Sequence, residues 1–460
     1  MCKYSKLFLI ATCMIASCES FVTGIDEVDV TRVSDVDLKL IVVAAEVNYM
    51  GFLEGQAARM AGMWSGYFRG ADRQYVGFYN YNVTSGTFET EWDNIYIYTL
   101  KQLRIAQRKA AAQNNLSTKG ICQVMEGSIM GTATALWGDV PYREATNVSA
   151  HPNPAYDSQA DIIDDLLSLL DEAVINLSSN IGNREGDFLS EGDNSQWIEV
   201  AHSVKARLLL YQRNYADALS EAEQGLDNPS EDLLALHGNS LGSDLNLYFD
   251  FLEVSRQGTM TAEDTHLGNL LDPNSSITRN HLKTNESGRL AHYYTGSSIN
   301  NYSPNTSPDG FFFADAAFPL HTAYETSLIA AECRLHLGDV DGAIAELNEH
   351  RANLRQMYPS GTYADFVASD FDIGGIENMT GIQTIEQSLL REILEEKWVS
   401  LYGQVEAFNE LRRTRNALDI PINFGENLPQ RFLYTQDEIN GNSSIPKPIP
   451  SLTDPVEIFK

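Results

Sequence analysis

The clearest alternation of apolar and polar positions lies between Ile162 and Leu177. Ile162, Ile163, Leu166, Leu167, Leu170, Val174 and Leu177 recur every three or four residues and form one stripe on a helix. Ser158 precedes the stripe and Asp161 follows three residues on, a spacing that satisfies the open amides of a helix start. Asp161, Asp164 and Asp165 sit in the first turns, where the helix dipole favours negative charge. Upstream, a helical pattern over about 118–137 ends at Gly138 and Pro141, and Pro152 and Pro154 keep the connection extended.

The same reading predicts one long helix over 36–61, and helical pattern resuming at Glu91 and running past Leu103. Between them, 63–98 is rich in Trp, Tyr and Phe but broken by Gly66, Gly70, Gly77 and Gly86, so its first part is not one clean helix. Residues 197–210 and 215–226 form a helical hairpin around a turn at 211–214, with Ala216, Ala218 and Leu219 set against Ala206 and Leu209. A second copy runs 324–336, then Leu337-Gly338-Asp339, then 340–348. Hairpins of this kind bury their faces only by stacking. The expected fold is therefore all-α, a tetratricopeptide-like scaffold with repeats at about 91–226 and 321–417. A loop-rich insertion at about 228–318 is rich in Gly, Ser, Asn and Asp. Residues 359–381 read as another loop, and the tail from Ile420 shows no periodicity.

The start of the chain changes the picture. Lys3 and Lys6 precede an apolar run, 7–15, that is too short to span a bilayer. Ile15-Ala16-Ser17-Cys18 fits a lipobox, so 1–17 is expected to be a lipoprotein signal peptide and 18–34 a tether lipidated at Cys18. Residues 35–460 then form a single domain. Of five cysteines, Cys122 and Cys333 remain in that domain. Buried free thiols are the simpler reading, with a bridge between them left open. The formal net charge of −31 argues against nucleic acid, whose phosphates require Lys and Arg.

Trp137-Gly138-Asp139-Val140-Pro141-Tyr142, Pro154-x-Tyr156-Asp157-Ser158 and Leu170-Asp171-Glu172-Ala173 together resemble the hallmark of SusD/RagB-like outer-membrane nutrient-binding lipoproteins. The likeness covers nearly the whole mature chain. It continues through Trp197, Ala201 and Lys205-Ala206-Arg207-Leu208, through Phe318-Pro319-Leu320, and through Glu395-Glu396-Lys397-Trp398. Arg431, Tyr434 and Glu438 resemble the closing signature. Three departures mark a divergent branch. Glu286-Ser287-Gly288-Arg289 replaces an Asp-Pro-Arg motif, Glu410 replaces an Asp, and a tryptophan-rich finish is missing. The resemblance implies a lipid-anchored protein on the surface of a Gram-negative outer membrane. It would capture oligosaccharide and hand it to a SusC-like TonB-dependent transporter. Peptide or glycopeptide capture on the same scaffold, or a purely protein-binding repeat scaffold, are the alternatives.

Catalysis finds little support. Gly238-Asn239-Ser240-Leu241-Gly242 matches a nucleophile elbow, but that motif requires a strand-to-helix turn in an alternating β/α chain. Asp164 with Asp165, and Glu395 with Glu396, point about 100° apart on their helices and read as solvated faces. No metal or cofactor motif appears, so neither is expected. Trp92, Trp137, Trp197 and Trp398 belong to helical motifs and are assigned to packing. Phe311, Phe312 and Phe313 either wedge a loop or touch a partner. Sugar rings stack on aromatic faces while amides and charges bond their hydroxyls. Two regions, 64–79 and 289–302, combine these residue types. The expected ligand contacts are Trp64, Tyr67, Asp72, Arg73, Tyr75, Tyr79, Tyr293, Tyr294 and Tyr302, converging in one shallow site.

Overall fold

The computed structural model describes residues 36–190 and 193–460. The signal peptide and the whole tether, with Cys18, lie outside the described residues.

At the centre is α3 (Leu116–Trp137), preceded by α1 (Leu38–Leu53) and α2 (Lys101–Ala112). Almost every side chain of α3 is buried, whichever way it faces, so it is a core helix enclosed by others. Its glycines let the neighbours come close. A Cβ at Gly120 would stand 2.6 Å from Leu177, at Gly127 2.7 Å from Leu170, and at Gly131 2.9 Å from Leu208. Those leucines belong to α4 (Gln159–Ser178) and α5 (Asn194–Tyr211). The predicted stripe on α4 meets α3, with Ile162, Ile163, Leu166, Leu170 and Leu177 buried and Leu167 and Val174 at its margin.

The connection between α3 and α4 explains the hallmark residues. Gly138 takes φ +85, a left-handed value that suits glycine at a helix end. The Asp157 carboxylate accepts the amides of Tyr142 and Arg143, each at 2.9 Å. Asp139 accepts the Gln159 amide at 2.9 Å, and Ser158 caps α4 through the Asp161 amide. Trp137 donates to the Leu433 carbonyl at 2.9 Å, and Tyr434 donates to the Asp139 carbonyl at 2.6 Å, tying the tail to this corner.

Two helical hairpins stack beyond this corner. α5 pairs with α6 (Tyr215–Ala222), and α7 (Ala323–His336) pairs with α8 (Val340–Met357). Ala206, Leu209 and Leu210 of α5, Ala218 and Ala222 of α6, and Ile329, Ala330 and Cys333 of α7 share one apolar cluster. Ala216, expected in that seam, faces solvent. Leu328, Ala331 and Leu335 then meet Ala343 and Leu347 of α8 and Leu389 and Ile393 of α9 (Ile385–Ser400). α10 (Glu406–Arg413) returns to α3, where the Thr132 hydroxyl donates to Glu406. Among the described residues no helix is long and apolar enough to cross a membrane. Cys122 and Cys333 are both buried free thiols.

The insertion has a clamped neck. β1 (Leu233–Ala235) and β2 (Phe318–His321) run antiparallel, with Leu233 opposite His321 and Ala235 opposite Phe318.

The structure departs from the sequence expectations at two further places. The helix predicted over 36–61 breaks at Glu54 and Gly55 and restarts as Gln56–Trp64. The break serves the buried Glu54 carboxylate, which accepts the Leu247 amide at 2.7 Å and meets His237 at 2.8 Å, fastening the insertion. Glu395 and Glu396 are not solvated. Glu396 meets Arg289 at 2.6 Å and Arg279 at 3.0 Å, and Glu395 meets Arg279 at 3.3 Å. Burial alone would raise the Glu396 carboxyl, but Arg289 and Arg279 hold it well below the usual range. Arg289 is thus the buried cation supplied by the divergent Glu-Ser-Gly-Arg segment, also pairing with Glu286 at 2.6 Å.

Candidate functional site

The regions 64–79 and 289–302 do meet, since the Tyr294 hydroxyl donates to the Tyr67 carbonyl at 2.9 Å. They meet inside the protein, and most of the expected ligand residues are core. Tyr67 donates its hydroxyl to the Trp398 carbonyl. Tyr293 stacks on Tyr402 at 4.2 Å and 13°. Tyr75 packs on Phe251 at 4.8 Å and accepts from Arg59 at 3.2 Å. Trp64 donates to the Phe78 carbonyl at 2.8 Å, and Tyr302 donates to Asp272 at 2.9 Å. Each polar tip has a partner, so these rings can be buried fully without stranding a donor. Trp64, Tyr67, Tyr75, Tyr293, Tyr294 and Tyr302 therefore offer no free face to a sugar. Phe311 and Phe312 join the same cluster against Tyr402, at 5.2 and 5.3 Å, which settles them as wedges.

Asp72, Arg73 and Tyr79 reach the surface. Asp72 and Arg73 are exposed and pair with each other at 3.6 Å. Tyr79 is half-buried, with the Arg69 guanidinium 5.9 Å from its ring centroid. It ends the short helix Arg73–Tyr79 and leads into Asn80 and Tyr81, the latter at φ +61.

That turn is held by the tail. The Asn423 amide donates to the Tyr81 hydroxyl at 2.9 Å, and its side chain donates to the Met63 and Tyr79 carbonyls at 2.9 and 3.3 Å. Two clefts of about 380 and 550 Å³ flank the segment 421–424. The first joins Tyr79 to Asp264, His266 and Asn269. The second joins Asn80, Tyr81 and Asn82 to Phe424 and Asn427. Phe424 is 63% exposed; half-buried Tyr81 lines the same cleft, and half-buried Tyr79 lines the cleft on the other side of 421–424. Burial, with the nearby Arg391 charge, pushes His266 down to about 4, so it faces the first cleft as a neutral ring at pH 7. Ring faces, amides and a carboxylate thus share one surface, a combination suited to sugar hydroxyls and C–H faces.

Phe424, Asn423 and Asn427 escaped the sequence reading because the tail lacks periodicity. The run Asn423-Phe424-Gly425-Glu426-Asn427 nevertheless carries the same mixture of ring and amide that singled out 64–79.

A further cleft of about 500 Å³ lies behind the hallmark loop, between Trp92, Ile97, Val148 and Asp437. Trp92 is only 7% exposed and Tyr96 already donates its hydroxyl to the Pro141 carbonyl at 2.8 Å. Its walls combine apolar surface and carboxylates with the His151 ring and the Asn442 amide.

Residues 32–435 match the model of a family described as starch-binding and associating with the outer membrane. The chain belongs to this SusD-like family. A SusD/RagB family protein from Bacteroides thetaiotaomicron has a similar structure, at 19% identity and a TM-score of 0.66, covering 92% of this chain and 99% of that one. A SusD homolog from Parabacteroides distasonis aligns at 16% identity and 0.67, covering 92% and 98%. A chitin-binding protein aligns at 18% and 0.66, covering 88% and 94%. No curated protein matches the chain.

SusD-like proteins bind and do not catalyse, and this SusD-like chain is a binding protein, not an enzyme. Its Gly238–Gly242 turn agrees with that. Ser240 is exposed, its amide donates to Asp244 at 2.7 Å, and the next element is only the short helix Leu247–Phe249.

Proposed function

We propose that this SusD-like protein captures oligosaccharide on the surface built from Tyr79–Asn82 and the tail loop 421–429, and delivers it to a SusC-like TonB-dependent transporter. Asp72, Arg73 and Arg69 border the site, and Cys18 carries the lipid that holds the protein at the cell surface. Residues 35–460 act as one domain. The observation that carries the reading is the exposed Phe424 ring in one cleft with Tyr81, Asn80, Asn82 and Asn427, next to the cleft that Tyr79 lines. The likeness to a chitin-binding protein supports a glycan ligand. A glycan-array screen on residues 19–460 tests it, with the expected result that binding to the retained glycan is weakened in Phe424→Ala and lost when Tyr81→Ala is added. Full binding by Phe424→Ala refutes the site.

A second reading, capture of a peptide, has its own support. The cleft behind the hallmark loop sets Asp93, Asp437 and Glu438 against apolar walls, a setting for a basic side chain with an aliphatic stem. A peptide library enriched in Lys and Arg that bound while the glycan array stayed silent would favour it.

A further inference from the structure

A smaller cleft, about 320 Å³, opens where the first helix breaks. It lies between Gly51–Arg59, Thr90–Asn94 and Leu247–Ser255. Two of its walls run into π-helical stretches, Asn94–Leu100 and Asp250–Ser255, an uncommon geometry that recurs at functional sites.

Three charged groups line it, and no two of them form an ion pair within 4 Å. Glu91 is 3% exposed, and its Oε2 is buried with no hydrogen-bond partner. Burial pushes its carboxyl up to about 7, against the pull of Arg59. Arg59 lies flat over Phe251, 4.3 Å from the ring centroid, and donates through Nε to Tyr75 at 3.2 Å. Among the described residues its terminal nitrogens meet no carboxylate. Asp250 is half-buried and likewise unpaired among the described residues. A buried acceptor left open is costly, so a donor is expected to fill it.

We infer that this cleft binds a free α-amino acid, its carboxylate on Arg59 and its ammonium between Glu91 and Asp250. The volume admits one residue-sized ligand and little more. A sugar fits worse, because Arg59 covers the Phe251 face on which a pyranose would stack, and hydroxyls would leave all three charges uncompensated. With two carboxylates against one guanidinium, a basic side chain completes the neutralisation, so lysine or arginine binds better than alanine, and glutamate worst. The site is separate from the surface around Phe424, and the inference does not rest on the glycan reading.

Titration calorimetry on residues 19–460 with free lysine, alanine, glutamate, Nα-acetyl-lysine and glucose tests it. Saturable binding in the order lysine, alanine, glutamate is expected. Blocking the α-amine or making Glu91→Gln should weaken lysine at least about tenfold, equivalent to about 1.4 kcal/mol. Glu91→Gln keeps the side-chain volume and relieves a buried carboxylate with one open oxygen, so its melting temperature should be unchanged or higher. Asp250→Asn, on the cleft rim, is the second variant and should weaken lysine without affecting the fold. Binding of glucose that Glu91→Gln abolishes, equal binding of the acetylated ligand, or no binding of any amino acid at millimolar concentration overturns the inference. Retained glycan binding by Glu91→Gln keeps this outcome distinct from the fate of the Phe424 surface.

Discussion

Individual side chains divide into rings that hold the protein together and rings that face outward. Tyr293 and Phe424 make the contrast testable. Tyr293 is stacked on Tyr402 and fully enclosed, so Tyr293→Ala should destabilise the fold by roughly 3–5 kcal/mol, as large-to-small core changes do. Phe424→Ala should leave the melting temperature nearly unchanged and weaken glycan binding by about 0.5–1.5 kcal/mol, the scale of one ring contact. Phe424→Ala combined with Tyr81→Ala should abolish measurable binding. Parallel melting curves and glycan titrations check both. A melting loss for Phe424→Ala as large as that for Tyr293→Ala would remove it from the site. The sequence marked aromatic-rich loops correctly as places where rings gather. It held no sign of which rings would find a hydroxyl acceptor and a stacking partner inside.

Elements are positioned by close approach as much as by apolar stripes. At Gly127 a Cβ would press on the Leu170 side chain, and the crowding is felt along the α3–α4 seam. Gly127→Ala should cost about 1–3 kcal/mol, the usual penalty of overpacking. Gly338, at φ +86 between α7 and α8, has open space around it, so a side chain there meets strain alone. Gly338→Val should therefore cost on the order of 1–2 kcal/mol. Ser240→Ala in the exposed Gly238–Gly242 turn should fall within about 0.5 kcal/mol of the parent. Urea denaturation ranks the three. Equal midpoints for Gly338→Val and Ser240→Ala would contradict the hairpin turn.

For the whole molecule, buried charge sets the pH response. Burial alone would raise Glu332, but Arg413 and Lys397, at 2.8 and 2.9 Å, hold it at about 2. Its folded pKa lies below the unfolded value, so its contribution is full above about 4.5 and is lost as pH falls toward 2. Glu46 runs the other way, since burial and the Asp187 charge raise it to about 9. Its contribution is full below about 4.5 and is lost as pH rises toward 9. Glu46→Gln should thus raise the melting temperature at pH 8 and change it little at pH 4. Glu332→Gln should lower stability at pH 7 by on the order of 3–5 kcal/mol, because it leaves buried cations short of a partner. Thermal melts of both variants from pH 4 to pH 8 check the signs. At the same scale, Cys18→Ala should move the protein from the membrane pellet to the soluble fraction in cells lacking the transporter, because a processed lipoprotein's acyl chains suffice for stable anchoring.

Much of the helical framework was legible without coordinates. The α4 stripe, the Ser158 cap and the two hairpins depend on spacing within a few residues of one another, and local spacing is what a sequence displays directly. Asp139, Asp157 and Tyr142 belong to the same class, since their bonds stay within the corner they build. What only the tertiary structure decided is the fate of groups whose partners lie far along the chain. Tyr67 is closed off by Trp398 and Tyr294, Glu396 is paired by Arg279 and Arg289, and the first helix is broken so that Glu54 can receive Leu247. Periodicity shows which face of a helix is apolar. It carries no information about which distant residue will cover a ring or neutralise a charge. For that reason the scaffold could be read from the sequence, while the surface around Tyr79 and Phe424 had to be seen.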